Sequence, residues 1–259
     1  MRARLASILA MLILPSLGSA AVPLCTASSG ATIPAVVELY TSEGCDSCPP
    51  ADRWFGALKD QAARGKVVPL AFHVDYWDYL GWKDRFADPA FSSRHRAAAS
   101  SGGARVVYTP QVLFDSREFQ QWRRTTPEKL SGAAAAKPAR AELRVTATSS
   151  AGARQLQVNV AGKSLAGTQR AEAYVALFEN GLSSDVKAGE NKGVVLHHDF
   201  VVRRWLGPFA FNAGTLSVAQ TIDLPTGGVL AQSGVAVVAV DDDGAVVQAL
   251  ALPLRDCAG

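Results

Sequence analysis

The stretch Glu38-Leu-Tyr-Thr-Ser-Glu-Gly-Cys45-Asp-Ser-Cys48 decides how the rest of the chain is interpreted. It continues an apolar run that begins at Ala35 and is typical of a β-strand. Its two cysteines stand at i and i+3, and Pro49-Pro50 then opens a helical pattern. A strand that delivers a C-x-x-C motif to the first turn of a helix favours thiol–disulfide chemistry, because partial positive charge at the helix N-terminus stabilises a thiolate.

The N-terminal segment has the features of a secretory signal. Arg2 and Arg4 give a basic start, and an apolar run over residues 5–17 ends in small residues. We therefore expect residues 1–20 to be a signal peptide and the mature protein to be periplasmic or secreted. A membrane anchor is the alternative, but a membrane span needs about 20 apolar residues. Nothing later in the sequence is long and apolar enough to cross a bilayer.

Composition indicates a folded globular protein, with 48% hydrophobic and 19% charged residues. The 259 residues leave room for one large domain or two small ones. Loss of the signal segment removes two of the 26 basic residues, which leaves 24 against 23 acidic ones. This near-neutral balance argues against a nucleic-acid or anionic-membrane surface. The sequence also lacks a glycine-rich dinucleotide loop and a phosphate-cradling motif, so no cofactor is expected.

The four cysteines fall into two kinds. Cys45 and Cys48 are a close pair, whereas Cys25 and Cys257 lie near the two ends of the mature chain. Chain termini are often close in space, so Cys25 and Cys257 are candidates for a structural disulfide. Two unpaired thiols are the alternative.

Strand and helix patterns alternate through the first half of the chain. The expected strands are 35–40, 66–74 and 111–115, the expected helices are 51–62, 89–101 and 127–136, and a turn at 116–117 leads into a short partner strand. One parallel crossover followed by a hairpin predicts an α/β thioredoxin-like domain over residues 30–136.

Four blocks of the first half are specific when they are taken together. They are Glu38-Leu-Tyr-Thr-Ser-Glu-Gly-Cys-Asp-Ser-Cys-Pro-Pro-Ala-Asp52, His73-Val-Asp-Tyr-Trp-Asp78, Trp82 and Tyr108-Thr-Pro-Gln111. These blocks resemble a bacterial family of secreted thioredoxin-like proteins of unassigned function. The resemblance implies a fold and a redox pair but supplies no substrate. In the wider thioredoxin superfamily a cis-proline lies opposite the C-x-x-C motif, and Pro110 is the matching position.

In such a site Cys45 is the expected nucleophile, and Cys48 resolves the mixed disulfide. Asp46 beside the thiol opposes its ionisation, so the direction of electron flow stays open. Glu38, on the strand that feeds the motif, is a candidate proton shuttle, with a capped or solvent-facing strand residue as the alternative. His73 and Asp75 are weaker candidates for the same role, and a structural hydrogen-bonding pair is their alternative.

Aromatic residues follow the second strand and suggest a wall for a peptide substrate. We expect substrate contacts from Tyr76, Trp77, Trp82 and Thr109, although such clusters also form ordinary core. The C-x-x-C motif itself has two further interpretations. One is a structural disulfide, and the other is a metal site, such as copper held by the thiols with His197 and His198. We expect no metal.

Alternating apolar residues in the second half predict an antiparallel β-sandwich domain over residues 138–256. Its expected strands are 142–148, 155–160, 173–178, 194–205, 216–224, 235–240 and 246–252. The patch His197-His198-Asp199 is interpreted either as shaping access to Cys45 or as a sandwich edge that contacts the first domain. Alternation places His197 and Asp199 on one face and His198 on the other.

Together these patterns predict an exported thiol–disulfide oxidoreductase that uses Cys45 and Cys48. Its partners would be exported proteins or peptides with thiols or disulfides, together with an unidentified redox partner. Two alternatives stay open: a non-enzymatic binding module with a structural disulfide, and a copper-handling protein.

Overall fold

The computed structural model describes residues 24–101, 106–134, 137–149, 154–165 and 170–257. The predicted signal segment 1–20 lies outside these residues. The strands are β1 Leu24–Ser28, β2 Ala35–Thr41, β3 Val67–His73, β4 Gln111–Phe114, β5 Arg117–Glu118, β6 Ala141–Thr148, β7 Gln155–Ser164, β8 Ala171–Glu179, β9 Leu182–Asp185, β10 Val195–His198, β11 Val201–Ala210, β12 Thr215–Asp223, β13 Ser233–Asp241 and β14 Val246–Pro253. The helices are α1 Pro49–Gly56, α2 Lys59–Ala63, α3 Pro89–Ser101 and α4 Pro127–Ala134.

One sheet of eight strands runs through both halves of the chain, in the order β14-β13-β8-β11-β3-β2-β4-β5. β2 and β3 are parallel, with α1 and α2 in the connection between them, and β4 returns antiparallel to β2. β11 pairs with β3 on one edge and with β8 on the other. The backbone N–H of Ala71 donates to the carbonyl of Phe200 at 2.8 Å, which ties β3 to the start of β11.

A second sheet, of order β1-β6-β7-β12, is antiparallel throughout. Its strands alternate between buried and exposed residues, as expected for a sheet with one face on the core. Val145 and Val158 on its buried face belong to one apolar cluster with Val175 and Val237 of the eight-stranded sheet. The two sheets therefore pack face to face. β9 and β10 form a hydrogen-bonded pair outside both sheets.

The helices surround another apolar cluster, centred on β2 and β3. Phe55 of α1 and Phe72 of β3 lie in this cluster together with Phe178 of β8 and Val202 of β11. Residues of the first half are thus buried against residues of the second half. Within the described residues no helix is long and apolar enough to cross a membrane.

The prediction of an α/β thioredoxin-like domain followed by a separate antiparallel β-sandwich is wrong. The fold is rich in β-structure, with 46% of residues in strands and 21% in helices. The physical reason lies in β3, which pairs with β2 on one edge and with β11 of the second half on the other, so that one sheet spans both halves. The antiparallel strands of the second half are present, but several of them extend the sheet of the first half. The proposed bounds 30–136 and 138–256 stay a prediction.

Candidate functional site

Cys45 and Cys48 form a disulfide in the turn between β2 and α1. The Cys45 N–H donates to the Ser42 carbonyl and the Cys48 N–H to the Cys45 carbonyl, each at 3.2 Å. Cys48 is the N-cap residue of α1, and prolines fill the first turn, where an N–H would have no helical partner. The disulfide therefore lies at a helix N-terminus. Both cysteines are nevertheless fully buried, with 0% of their surface exposed.

The loop between β9 and β10, residues 186–194, covers this turn, and we call it the lid loop. The side-chain amide of Asn191 donates to the carbonyls of Glu43 and Cys45, both at 2.9 Å. The carboxylate of Glu190 accepts from the Asp46 N–H at 3.1 Å. Asn191 is itself buried. The backbone of the C-x-x-C turn is thus hydrogen-bonded to a segment nearly 150 residues away in sequence.

Two of the four residues expected to contact substrate, Trp77 and Trp82, lie against the same turn, and Thr109 is hydrogen-bonded to Trp77. The indole N–H of Trp77 donates to the Thr109 hydroxyl at 2.8 Å. A Cβ atom at Gly44 would lie 2.9 Å from the Trp77 Cβ, so glycine is required for this close approach. The indole N–H of Trp82 donates to the Glu43 carboxylate at 2.7 Å.

The predicted site residues Pro110 and Tyr76 have different surroundings. Pro110 follows Thr109, is buried, and has a cis peptide bond before it. The Tyr76 hydroxyl lies 3.4 Å from Nδ1 of His95 on α3 and is half-buried. The structure therefore brings Trp77 and Trp82 to the turn, with Thr109 against Trp77, whereas Tyr76 contacts α3.

Glu38 lies on β2 in an ion pair with Arg94 of α3, at 2.6 Å, and accepts a hydrogen bond from the Tyr40 hydroxyl at 2.9 Å. Thr41 instead donates to Asp52 of α1 at 3.3 Å. Side chains alternate along a strand, so Glu38 and Thr41 point to opposite faces. Glu38 therefore faces α3 and not α1, and its role as a proton shuttle stays a prediction.

A group of buried charged side chains lies beside the turn, and we call it the ionic cluster. Its members come from five different segments and are Glu43, Asp52, His73, Asp84 and His198. His198 Nε2 lies 3.3 Å from Glu43 Oε1, and His198 Nδ1 lies 3.8 Å from Asp52 Oδ1. His73 Nδ1 lies 2.7 Å from Asp84 Oδ2, and the same carboxylate accepts from the Glu43 N–H at 2.9 Å.

Within this cluster, opposite charges stabilise each other's ionised forms. Burial alone lowers the pKa of His198, but the contacts with Asp52 and Glu43 outweigh it and raise the pKa to about 10. Burial raises the pKa of Glu43, but the close approach of His198 leaves that pKa below its ordinary value. The pKa of Asp84 is likewise lowered, because His73 outweighs the effect of burial. At neutral pH the cluster holds an imidazolium between buried carboxylates.

Sequence reasoning missed most of this cluster. It expected His73 beside Asp75, but the partner of His73 is Asp84, and Asp75 accepts a hydrogen bond from Ser92. Glu43 and Asp52 flank the C-x-x-C motif, and their positions at −2 and +4 were the available signal. The pairing with His198 had no sequence signal, because 146 residues separate it from Asp52.

The two histidines of the patch at residues 197–199 point to opposite faces, as strand alternation predicts. His197 is exposed and His198 is buried, whereas Asp199 forms an ion pair with Lys59 at 2.7 Å. The two imidazoles therefore do not face the cysteines together. Across the described ranges, no group of three or more His, Cys, Asp or Glu side chains is arranged to hold a metal ion.

The other two cysteines are also joined. A disulfide links Cys25 on β1 to Cys257 near the C-terminus, across 232 positions of sequence. Cys25 lies on the four-stranded sheet, and Cys257 follows β14, which is an edge strand of the eight-stranded sheet and is separated from β2 by four strands. This disulfide therefore belongs to the framework and not to the candidate site.

A comparison with family models matches residues 36–240 to a family described as "Protein of unknown function (DUF1223)". The chain belongs to this family. The matched range contains the C-x-x-C turn, Trp77, Trp82 and the lid loop. A comparison with curated proteins finds no match.

Two solved structures are similar to the chain. The crystal structure of protein AGR_C_4864 from Agrobacterium tumefaciens has 28% sequence identity and a TM-score of 0.55, over 86% of this chain and 96% of that one. The structure of HBP35 of Porphyromonas gingivalis has 15% identity and a TM-score of 0.65, over 87% of this chain and 76% of that one. At 15% identity the likeness shows the fold alone. Membership of the family does not extend to the thioredoxin superfamily, which stays a prediction.

Proposed function

We propose that this protein is an exported thiol–disulfide oxidoreductase, which acts through Cys45 and Cys48 on thiols or disulfides of exported proteins or peptides. The observation that carries the proposal is a disulfide between residues three positions apart, placed at the N-terminus of α1 beside buried charges. A disulfide at a helix N-terminus lies in the positive field of the helix dipole. This field stabilises the thiolate that forms when the disulfide is reduced. After each exchange an unidentified redox partner would return Cys45 and Cys48 to their original oxidation state.

The expected chemistry is thiol–disulfide exchange. A substrate thiolate attacks Sγ of Cys45, and the electron pair of the broken bond leaves on Sγ of Cys48. A second substrate thiolate then attacks the mixed disulfide and releases Cys45, so that the substrate is oxidised. In the reverse direction the Cys45 thiolate attacks a substrate disulfide, and Cys48 resolves the mixed disulfide and releases the reduced substrate. The Ser47 hydroxyl, 3.3 Å from Sγ of Cys45, donates a hydrogen bond that would also stabilise a thiolate there. The substrate backbone would be held by Thr109, Pro110 and the indoles of Trp77 and Trp82.

Access to the disulfide requires movement of the lid loop, because both cysteines are fully buried beneath their surroundings. Asn191 is the contact that has to break, since it occupies the carbonyls of Glu43 and Cys45. A peptide substrate offers backbone N–H groups that can replace the Asn191 amide at these carbonyls. The proposal therefore includes an opening step before exchange.

The redox potential of the Cys45–Cys48 pair, measured against glutathione in the full chain, tests the proposal. We expect a potential above about −300 mV, the range of labile disulfides. Insulin reduction or isomerisation of a scrambled disulfide protein should be lost in Cys45→Ser and kept in the Cys25→Ser/Cys257→Ser variant. Full activity in Cys45→Ser would show that the chemistry lies elsewhere.

A second candidate function has one observation in its favour. Full burial of Cys45 and Cys48 is also what a structural disulfide in a non-enzymatic binding module would show. Mass spectrometry after dithiothreitol treatment of the folded protein distinguishes the two. A pair that stays oxidised until the chain unfolds would favour the binding module.

A further inference from the structure

His198 connects the two sides of the C-x-x-C turn. It comes from the end of β10, and its ring nitrogens approach Glu43 at 3.3 Å and Asp52 at 3.8 Å. Glu43 precedes Cys45 by two residues, and Asp52 follows Cys48 by four. All three side chains are more than nine-tenths buried. Within the described residues, both ring nitrogens and Glu43 Oε1 have no hydrogen-bond partner of good geometry.

Asp52 and Cys48 share one face of α1. Residues at i and i+4 lie above one another on a helix, and the Asp52 N–H donates to the Cys48 carbonyl at 3.1 Å. Glu43 is tied to the same turn, since its carbonyl and that of Cys45 accept from one amide group. Glu43 and Asp52 therefore flank the disulfide-bonded turn, and Asp52 lies one helical turn from Cys48.

Two buried carboxylates near the disulfide would oppose the formation of a thiolate, because like charges in a poorly solvated site repel strongly. His198 is the cation that faces both of them. The other groups against its ring are His73, at 4.8 Å between ring centroids, and the uncharged ring of Phe86 at 5.7 Å. His73 is in turn paired with Asp84.

We propose that His198 is a positioning residue whose positive charge offsets Glu43 and Asp52, so that Cys48 can leave as a thiolate when the disulfide is attacked. This inference rests on the proposed function and names what tunes its reactivity. In the step concerned, an attacking thiolate RS⁻ forms a bond to Sγ of Cys45 while the Cys45–Cys48 bond breaks. The electron pair leaves on Sγ of Cys48, and no proton is transferred. A more stable leaving thiolate makes this step faster.

The test compares His198→Asn with His197→Asn in the full chain. His197 is the exposed neighbour on the same strand and provides the matched control. The pH dependence of iodoacetamide alkylation, measured in a Cys45→Ser background, gives the pKa of the Cys48 thiol. We expect His198→Asn to raise that pKa by about one unit, which corresponds to about tenfold less thiolate at pH 7. His197→Asn should leave the thiol pKa unchanged.

Glu43→Gln provides a second, opposite test that does not depend on the folding of His198→Asn. Removal of one carboxylate should lower the thiol pKa, the reverse of the histidine substitution. A folded His198→Asn protein with an unchanged thiol pKa would overturn the inference, and so would a rise of the thiol pKa in Glu43→Gln. Alkylation needs no protein substrate, so loss of turnover in the wild type would count against the proposed function without affecting this result.

Discussion

His198 and His95 are both buried but differ in charge at neutral pH because their neighbours differ. His198 lies between two carboxylates, which keep it protonated. His95 stacks on the Tyr40 ring at 4.0 Å and places Nε2 2.5 Å from the side-chain oxygen of Gln111. Burial lowers the pKa of His95 to about 4, and Gln111 opposes the change only in part. The same residue type thus serves as a cation in one place and as a neutral hydrogen-bonding ring in the other.

The lowered pKa of His95 predicts a loss of stability in mild acid. The unfolded chain binds a proton at His95 near pH 6.5, whereas the folded chain does so only near 4. The contribution of neutral His95 is therefore complete above pH 6.5 and falls between these values, by up to about 1.4 kcal/mol per pH unit. Urea unfolding from pH 7 to 4.5 should show this slope, and His95→Asn should reduce it.

The control for this prediction is His197→Asn, which makes the same substitution at an exposed histidine. Arg94 and Arg96 are the charged groups that disfavour a proton on His95, and neither changes its charge in this pH range. An identical pH dependence in wild type and His95→Asn would contradict the assignment of a neutral ring.

At the scale of elements, the β9–β10 hairpin combines two parts of the candidate site. Its loop supplies Asn191, and its second strand ends in His198. We predict that Asn191→Ala will speed reduction of the Cys45–Cys48 disulfide by dithiothreitol about thirtyfold. The substitution removes two buried hydrogen bonds of about 1 kcal/mol each from the closed state, and 1.4 kcal/mol corresponds to a factor of ten.

Stopped-flow or quenched-flow measurement of the free thiols gives this rate directly. Lys192→Ala is the matched control, since Lys192 is the exposed next residue of the same loop. Equal rates in Asn191→Ala and wild type would mean that lid opening does not limit access. In that case the turn would be exposed by a different motion.

Individual elements of the first half were predictable because each has a local signal. The apolar run of β3, the helix start at Pro89 and the turn at Gly65 with φ of +65° all follow from residue type. The single helix expected at 51–62 divides into α1 and α2. The strand expected at 194–205 divides at Phe200, which has φ of +57°.

The assembly of these elements was less predictable. β9 carries Leu-Ser-Ser-Asp, which has no β pattern, yet it positions the lid loop. The pairing of β11 with β3 joins strands more than 120 residues apart, and the sequence of neither strand indicates which strand it pairs with. The continuous apolar run of β3 was the available hint, because a strand without a polar face is covered on both faces and belongs inside a sheet. The cysteines were identifiable from spacing, but the charges around them depend on this long-range pairing.

At the scale of the whole molecule, the Cys25–Cys257 disulfide closes the chain upon itself. It links the edge strand of the four-stranded sheet to the segment after β14. We predict that the Cys25→Ser/Cys257→Ser variant will lose about 2–5 kcal/mol of unfolding free energy, since the cross-link restricts the unfolded chain. Guanidinium unfolding measures the loss. The redox potential of Cys45–Cys48 should not change, and a shift in that potential would contradict the separation of framework from site.

The shared sheet also predicts that the first half cannot fold without the second. Removal of residues 138–256 would expose the β3 edge that β11 covers, and would remove Phe178 and Val202 from the apolar cluster around β2 and β3. An exposed apolar edge strand favours aggregation over a stable fold. A fragment of residues 30–136 should therefore show no cooperative urea transition and no near-ultraviolet circular dichroism from its packed indoles. The full chain, with Cys25→Ser/Cys257→Ser to exclude the effect of the cross-link, should unfold in one transition by both probes. A fragment with a sigmoidal transition of its own would instead establish two independent domains, and the contacts between β3 and β11 would then be a docking interface.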